Sequence, residues 1–420
     1  MLGRLAQAIV TPKRVLPNLA GFVTAYWQAY FRFNHGGEVS VKIQQLLLKT
    51  TQDAAERLRP LTAVAPQLVT IFGASSFLTD PLFVQTVTEL FDGAAVVGCS
   101  TAGEISDDGV SEGSCIVTAV AFEATRVKSV SSALSAMSDS RANGERIGKA
   151  LAHSELRAIL VFGPGVQING SALVDGITAI VGSNVPVMGG LAGDDGAFKR
   201  TWTWGVNGVT DSHVIGLGLY GNSLDFAYGC FGGWETFGPE RKITRCEGNV
   251  LYELDGKPAL DIYKRYLGEY AKSLPASGLL FPFAILGADR KSLGLIRTIL
   301  GIDESSGSLT LAGAIESNGY LKLMHASTDK LVDGAEVAAR DAVSMHSGKG
   351  DGLAILISCI GRKLVMGERV DEEVDAVSSV LGSRVARTGF YSYGEISPFG
   401  AGGNCHLHNQ TMTITWLSER

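Results

Sequence analysis

Two stretches far apart in the chain, GCSTAGEI at 98–105 and GFYSYGEI at 389–396, agree at both glycines, the glutamate and the isoleucine. Each ends the second strand of a strand, helix, strand pattern, and this repeat constrains the fold more than any other feature. In the first copy QLVTIFG (67–73) reads as a strand, Thr79 and Asp80 as caps, and Pro81 as a first-turn residue. Phe83, Val87, Leu90 and Phe91 recur at helical spacing, AAVVGCS leads into the turn, and CIVTAVAF (115–122) follows as a further strand. The order returns at AILVFGPG (158–165), with Ser171 as cap and Leu173, Ile177, Ile180 and Val181 on one helical face. There NVPVMGGLAGDD (184–195) takes the place of the turn and HVIGLGLY (213–220) closes the unit. A third copy runs through GLAILISCIG (352–361), then Val370, Val374, Val377 and Leu381, then GFYSYGEI and the alternating strand NQTMTITW (409–416). LTLAGAIESNGYLKLMH (309–325) keeps the turn of a fourth copy but lacks its crossover.

Such crossovers imply parallel pairing with right-handed connections, and the closing strand is expected to return antiparallel. The expected class is α/β, with mixed sheets built from repeated strand, helix, strand, turn, strand units in two lobes. A chain of 420 residues with 45% apolar content holds core material for two domains. Turn residues and a hairpin pattern in 231–268 put the boundary near 240, giving domains 41–240 and 241–420. Residues 1–40 read as an amphipathic or disordered extension. Their apolar stretch, Leu16 to Phe31, is bounded by Arg14 and Arg32 and is shorter than the roughly 20 residues of a spanning helix. A net charge of −6 without a basic cluster argues against nucleic acid as partner. The six cysteines form no CxxC pair and read as reduced thiols of a cytoplasmic protein.

The turns are where chemistry is expected. Glycines permit positive φ and close backbone approach, successive amides can form an anion-binding nest, and open α/β sheets bind ligands beyond the carboxyl ends of their strands. The candidate ligand-binding residues are therefore Thr101, Gly103 and Glu104, then Gly193, Asp194 and Asp195, then Tyr391, Tyr393 and Glu395. Arg362, in SCIGRK, can pair with a ligand carboxylate or with one of these acids. The alternative is that the glycines make tight corners and the acids cap amides. GCSTAG is not GxSxG, and no histidine is placed by spacing as a base for Cys99 or Ser100. A Cys-dependent hydrolase or transferase is the weaker reading, and no catalytic residue is assigned. GDD is too short a pattern to define a divalent-metal site, and His406 and His408 in CHLH lack the further ligands of a zinc site. One neutral histidine in an apolar pocket is enough for a haem axial ligand, which makes His325 and His408 the candidates for that cofactor.

VVGCSTAGEI, GGLAGDD, NVLYELDGKPALDIYKRYLG, SCIGRK, GFYSYGEISP and LHNQTMTI together resemble the FIST family, paired as its N-terminal and C-terminal sensory domains over about residues 40 to 420. The resemblance implies a sensor of small ligands, with amino acids or similar metabolites expected. It acts through a separate signalling protein such as a histidine kinase, with no membrane span. A branch of the family is similar to haem-based nitric oxide sensors, which is the second reading. Both are binding functions rather than enzymatic ones.

Overall fold

The computed structural model describes residues 41–347, 351–400 and 402–420, so the extension read over 1–40 lies outside the described residues. The first unit consists of β1 (Lys42–Leu48), β2 (Leu68–Gly73), the Pro81–Leu90 helix, β3 (Ala95–Ser100), a hairpin of β4 (Glu104–Ser106) and β5 (Gly109–Ser111), and β6 (Cys115–Ala121). The second has β7 (Arg126–Ala133), the Ser140–Leu151 helix, β8 (Leu156–Gly163), the Gly170–Val181 helix, β9 (Val187–Leu191), β10 (Thr203–Gly205), β11 (Gly208–Thr210) and β12 (His213–Tyr220). The third opens with β13 (Leu224–Phe231) and is interrupted by an insert. Its strands are β14 (Glu235–Glu247), β15 (Val250–Leu254), β16 (Lys257–Pro258), β17 (Phe283–Leu286), β18 (Ser292–Arg297), β19 (Ile299–Asp303), β20 (Ser308–Leu311) and β21 (Tyr320–His325). The unit resumes with the Thr328–Met345 helix, β22 (Gly352–Cys359), the Ile360–Met366 and Asp371–Leu381 helices, β23 (Val385–Ser392), β24 (Gly394–Pro398), β25 (Cys405–His408) and β26 (Met412–Glu419).

The three units share one strand order. It reads β1-β6-β2-β3, β7-β12-β8-β9 and β13-β26-β22-β23, with the crossover pairs β2–β3, β8–β9 and β22–β23 parallel and the remaining pairs antiparallel. The fifth and sixth strands of each sheet come from a different unit. Hairpin β10–β11 extends the first sheet from β3, β24–β25 extends the second from β9, and β4–β5 extends the third from β23. The exchange is cyclic, so each unit completes another's sheet.

Period-two alternation decides what each sheet covers. Leu68 and Phe72, Leu160 and Phe162, and Ile355 and Ile357 share one apolar core with Phe390 between the sheets. The intervening Val69 and Ile71 pack under Phe83 and Val87 of the first helix, and Ile159 and Val161 under Leu173 and Ile177. Strands buried on both faces account for the unbroken apolar runs in the sequence. The helices start as their polar residues dictate, with one difference from expectation. Asp80 accepts from the amides of Leu82 (2.9 Å) and Phe83 (3.3 Å), whereas the second cap is Asn169, whose Oδ1 accepts from Ala172 N at 3.0 Å. Asn169 has the extended backbone a cap needs, and Ser171 already lies inside the helix.

The insert strands pair in the order β18-β17-β21-β14-β15-β20-β19, with β16 beside β15, and close over the Ala259–Leu267 helix through Leu260, Tyr263, Phe283, Leu309 and Leu321. Residue 240 falls inside β14, and strands from either side of it share sheets. The 309–325 stretch contributes β20 and β21 to the insert and belongs to no crossover. Among the described residues no helix is long and apolar enough to cross a membrane.

Candidate functional site

The three turns meet, and their backbones interlock. Ala102 N donates to Tyr391 O at 2.8 Å, Gly193 N to Ser100 O at 2.8 Å, and Tyr393 N to Leu191 O at 3.1 Å. The acceptors are equivalent residues of the three units, and the donors stand two places further on in each. Glycine is obligatory two residues before each acceptor, inside the strand. A Cβ on Gly98, Gly189 or Gly389 would fall 1.8, 1.9 or 1.8 Å from the carbonyl oxygen of Ile71, Val161 or Leu356 across the parallel pair.

The glutamates of the first and third turns are twins. Glu104 is wholly buried, accepting from Thr101 Oγ1, from Ser114 Oγ at 2.6 Å and from Ser114 N at 3.1 Å. Glu395, equally buried, accepts from Ser392 Oγ (2.7 Å), Thr411 Oγ1 (3.0 Å) and Thr411 N (3.1 Å). Burial raises both carboxyls, that of Glu395 to about 7, while these donors pull the other way. In the second turn Asp194 accepts from the amides of Phe198 (2.8 Å), Lys199 (2.8 Å) and Arg200 (2.9 Å) and from Tyr393 OH. The turn acids mostly organise backbone.

Other expected ligands are also engaged. Arg362 and Glu373, both fully buried, pair at 2.7 Å, and the guanidinium also donates to Gly232 O and Leu331 O. Tyr391 OH donates to the same Glu373 at 2.7 Å. Ser100 Oγ donates to Gly193 O and accepts from Trp202 N, each at 2.7–2.8 Å, so it is held as a bracket between turns. Cys99 is wholly buried, and burial pushes its thiol well above the usual range, the opposite of what a nucleophile needs.

The exposed part of the turn face is at Asp195, which opens onto a cleft of about 690 Å³ with Glu112, Phe198, Ile360, Lys363 and Leu364 on one side and Leu274–Ala276, Leu279, Ile299 and Leu300 of the insert on the other. Lys363 Nζ donates to Ala102 O at 2.7 Å, pairs with Glu112 at 2.6 Å, and stands 5.7 Å from the Tyr391 ring centre. A Cβ on Gly103 would stand 2.9 Å from this Nζ, the mobile end of a side chain, and it is the φ of 131° that favours glycine there. The Asp195 carboxylate makes no hydrogen bond among the described residues; burial raises it and the charge of Lys363 lowers it. Tyr393 stacks on Phe198 with centres 4.0 Å apart and lines an adjoining cavity of about 260 Å³. The structure thus gathers Thr101, Gly103, Glu104, Gly193, Asp194, Asp195, Tyr391, Tyr393 and Glu395 around one centre, with Asp195 and Tyr393 facing cavities. Lys363 and Glu112 escaped the sequence reading, although Lys363 is the residue after Arg362 in SCIGRK.

The histidines do not fit a haem. His408 is wholly buried, its Nε2 lies 2.9 Å from Ser397 O, and burial holds the ring down to about 3. His325 is exposed at the end of β21. Neither histidine lines the cleft or the adjoining cavity.

Residues 67–257 match the FIST N domain and residues 259–398 the FIST C domain. The chain belongs to the FIST family. FIST domains are sensory domains of signal transduction, and in this chain their division falls within the insert, just before its helix. An uncharacterised protein of Methanocaldococcus jannaschii is 30% identical to this FIST chain over 217 residues, 47% of the chain. The match spans 41% of that relative's length. A crystal structure of cyanuric acid hydrolase from A. caulinodans aligns over 90% of this chain and 99% of its own, with 10% identity and a TM-score of 0.37.

Proposed function

We propose that this FIST chain senses a small polar metabolite, an amino acid or a near relative, in the cleft between the turn face and the insert, and signals through a separate protein such as a histidine kinase. The observation that carries this reading is the composition of the cleft. One wall belongs to the interlocked turns through Asp195 and the Lys363 contact to Ala102, and the other to the insert through Leu274–Ala276 and Leu279. A ligand spanning the two walls favours one arrangement of body and insert over another, and a difference of roughly 1–3 kcal/mol between arrangements is a useful signal. Asp195 offers an unengaged carboxylate for an ammonium group, beside apolar surface from Ile360, Leu364 and Leu279 for a side chain.

A thermal-shift panel of amino acids and related metabolites tests this. A ligand at a hundredfold excess over its Kd stabilises the folded state by roughly 2.7 kcal/mol. Ala276 is an exposed lining residue, so Ala276→Trp fills the cleft without disturbing the core. The expected result is a shift with wild type that Ala276→Trp loses while its ligand-free melting is unchanged. A shift retained in that variant would remove the ligand from the cleft.

A further inference from the structure

The cleft and the smaller cavity adjoin along Phe198 and Leu300, which line both. These side chains are 36% and 44% exposed, so they form a rim between two open spaces rather than a closed partition. Three charged side chains line the joint space, Asp195, Glu112 and Lys363, all of them in the cleft. Lys363 is spent on Glu112 at 2.6 Å and on Ala102 O at 2.7 Å. One negative charge is left over, and it belongs to Asp195, whose exposed carboxylate accepts no hydrogen bond among the described residues.

The turn keeps nothing for an anion. Its successive amides suit an anion-binding nest, but the chain fills that nest with its own acid. Ala197 N donates to Asp194 O, and the amides of Phe198, Lys199 and Arg200 to the Asp194 carboxylate. Asp194 N and Gly196 N donate to Tyr393 OH, and Asp195 N to Thr101 O. Every amide from Asp194 to Arg200 is therefore engaged, and a ligand carboxylate on this face would lose its hydration without gaining a donor.

The smaller cavity supplies the complementary feature. Its lining holds no Asp, Glu, Lys, Arg or His, and its body is made by Ile168, Leu191, Leu311, Leu407 and the Phe198–Tyr393 stack. A dry cavity of roughly 150 Å³ holds a benzene ring, so about 260 Å³ admits one ring with its linker.

We propose that the sensed ligand is a monocation without a carboxylate, a primary ammonium held by Asp195 in the cleft, with a compact apolar body in the smaller cavity beyond Phe198. The proposal rests on the sensor reading and, within it, selects the amine over the amino acid.

The test uses the full chain with 2-phenylethylamine as probe, followed by thermal shift and saturation-transfer NMR. Phenylalanine adds a carboxylate to the same body, and 3-phenylpropionate exchanges the ammonium for one. The amine is expected to raise the melting temperature in a saturable way, phenylalanine to bind roughly tenfold weaker or less, and 3-phenylpropionate not to bind. Asp195→Asn removes the charge alone: the side chain has no hydrogen bond to lose, and asparagine tolerates the φ of 55°. Met137→Trp fills the smaller cavity from an exposed residue that does not line the cleft. Both variants should melt as wild type does and lose roughly tenfold or more in affinity for the amine. Phenylalanine or 3-phenylpropionate binding as tightly as the amine, amine binding unchanged in either variant, or no saturable amine binding would each overturn the proposal. An amino acid that binds wild type and is lost in Ala276→Trp would then leave the sensor reading standing without the amine.

Discussion

At the scale of single residues, the turn centre is governed by contact distances and by burial of charge. Alanine at Gly98, Gly189 or Gly389 must displace a paired carbonyl, and each substitution is expected to cost more than about 4 kcal/mol and to abolish soluble expression. Gly93 is the contrast, with open space around it and a φ of 87°, so Gly93→Ala should cost only about 1–2 kcal/mol in thermal or urea denaturation. Two buried groups give opposite pH dependences. The carboxyl of Glu395 stands at about 7 when folded, above its value near 4.3 in an unfolded chain. Its contribution is complete below the unfolded value and is lost as pH rises through 7, on the order of 3 kcal/mol in all. His408, held at about 3 against an unfolded value near 6.5, contributes above the unfolded value and loses that contribution as pH falls toward 3. The melting temperature of Glu395→Gln should therefore gain on wild type between pH 5 and 7.5, and His408→Asn should flatten the acid side. Parallel curves would remove either group from the account.

At the scale of elements, a buried ion pair fastens the short Ile360–Met366 helix to the Asp371–Leu381 helix, to the chain after β13 through Gly232, and to Leu331. Arg362→Met leaves Glu373 charged in the core and is expected to cost about 3–5 kcal/mol, while the double variant Arg362→Met, Glu373→Leu recovers most of it. A double-mutant cycle by urea denaturation checks this. Elements of this kind were legible in the sequence to the extent that they are periodic. Phe83 and Val87, or Val374 and Val377, announce their helices, and the unbroken runs at 67–73, 158–165 and 352–361 announce strands buried on both faces. The partner of Arg362 was not legible, because Glu373 lies on the next helix and nothing local marks it. The turn acids were found by their repetition, but a repeat cannot tell an acid that faces a ligand from one that gathers amides. That depends on Ser114 and Thr411, each the residue just before a strand, β6 or β26.

At the scale of the molecule, the exchange of hairpins makes the units interdependent. A fragment of residues 41–222 contains the first two units entire, yet it lacks β23, on which β4 pairs, and the β24–β25 hairpin that completes the second sheet. It is expected to show no cooperative thermal transition and no near-UV circular dichroism, whereas residues 41–420 melt in a single transition of the body. A cooperative transition in the fragment would show that the exchange decorates units already stable.

The same exchange sets a timetable for synthesis. Strands leaving the ribosome first must wait for some of their neighbours until nearly the last residues have emerged, β4 for residues 385–392 and β9 for residues 394–398. During that wait an apolar chain offers open strand edges, the condition under which nascent proteins stick to one another. Factors that shield such edges during synthesis are therefore expected to raise the yield of this protein.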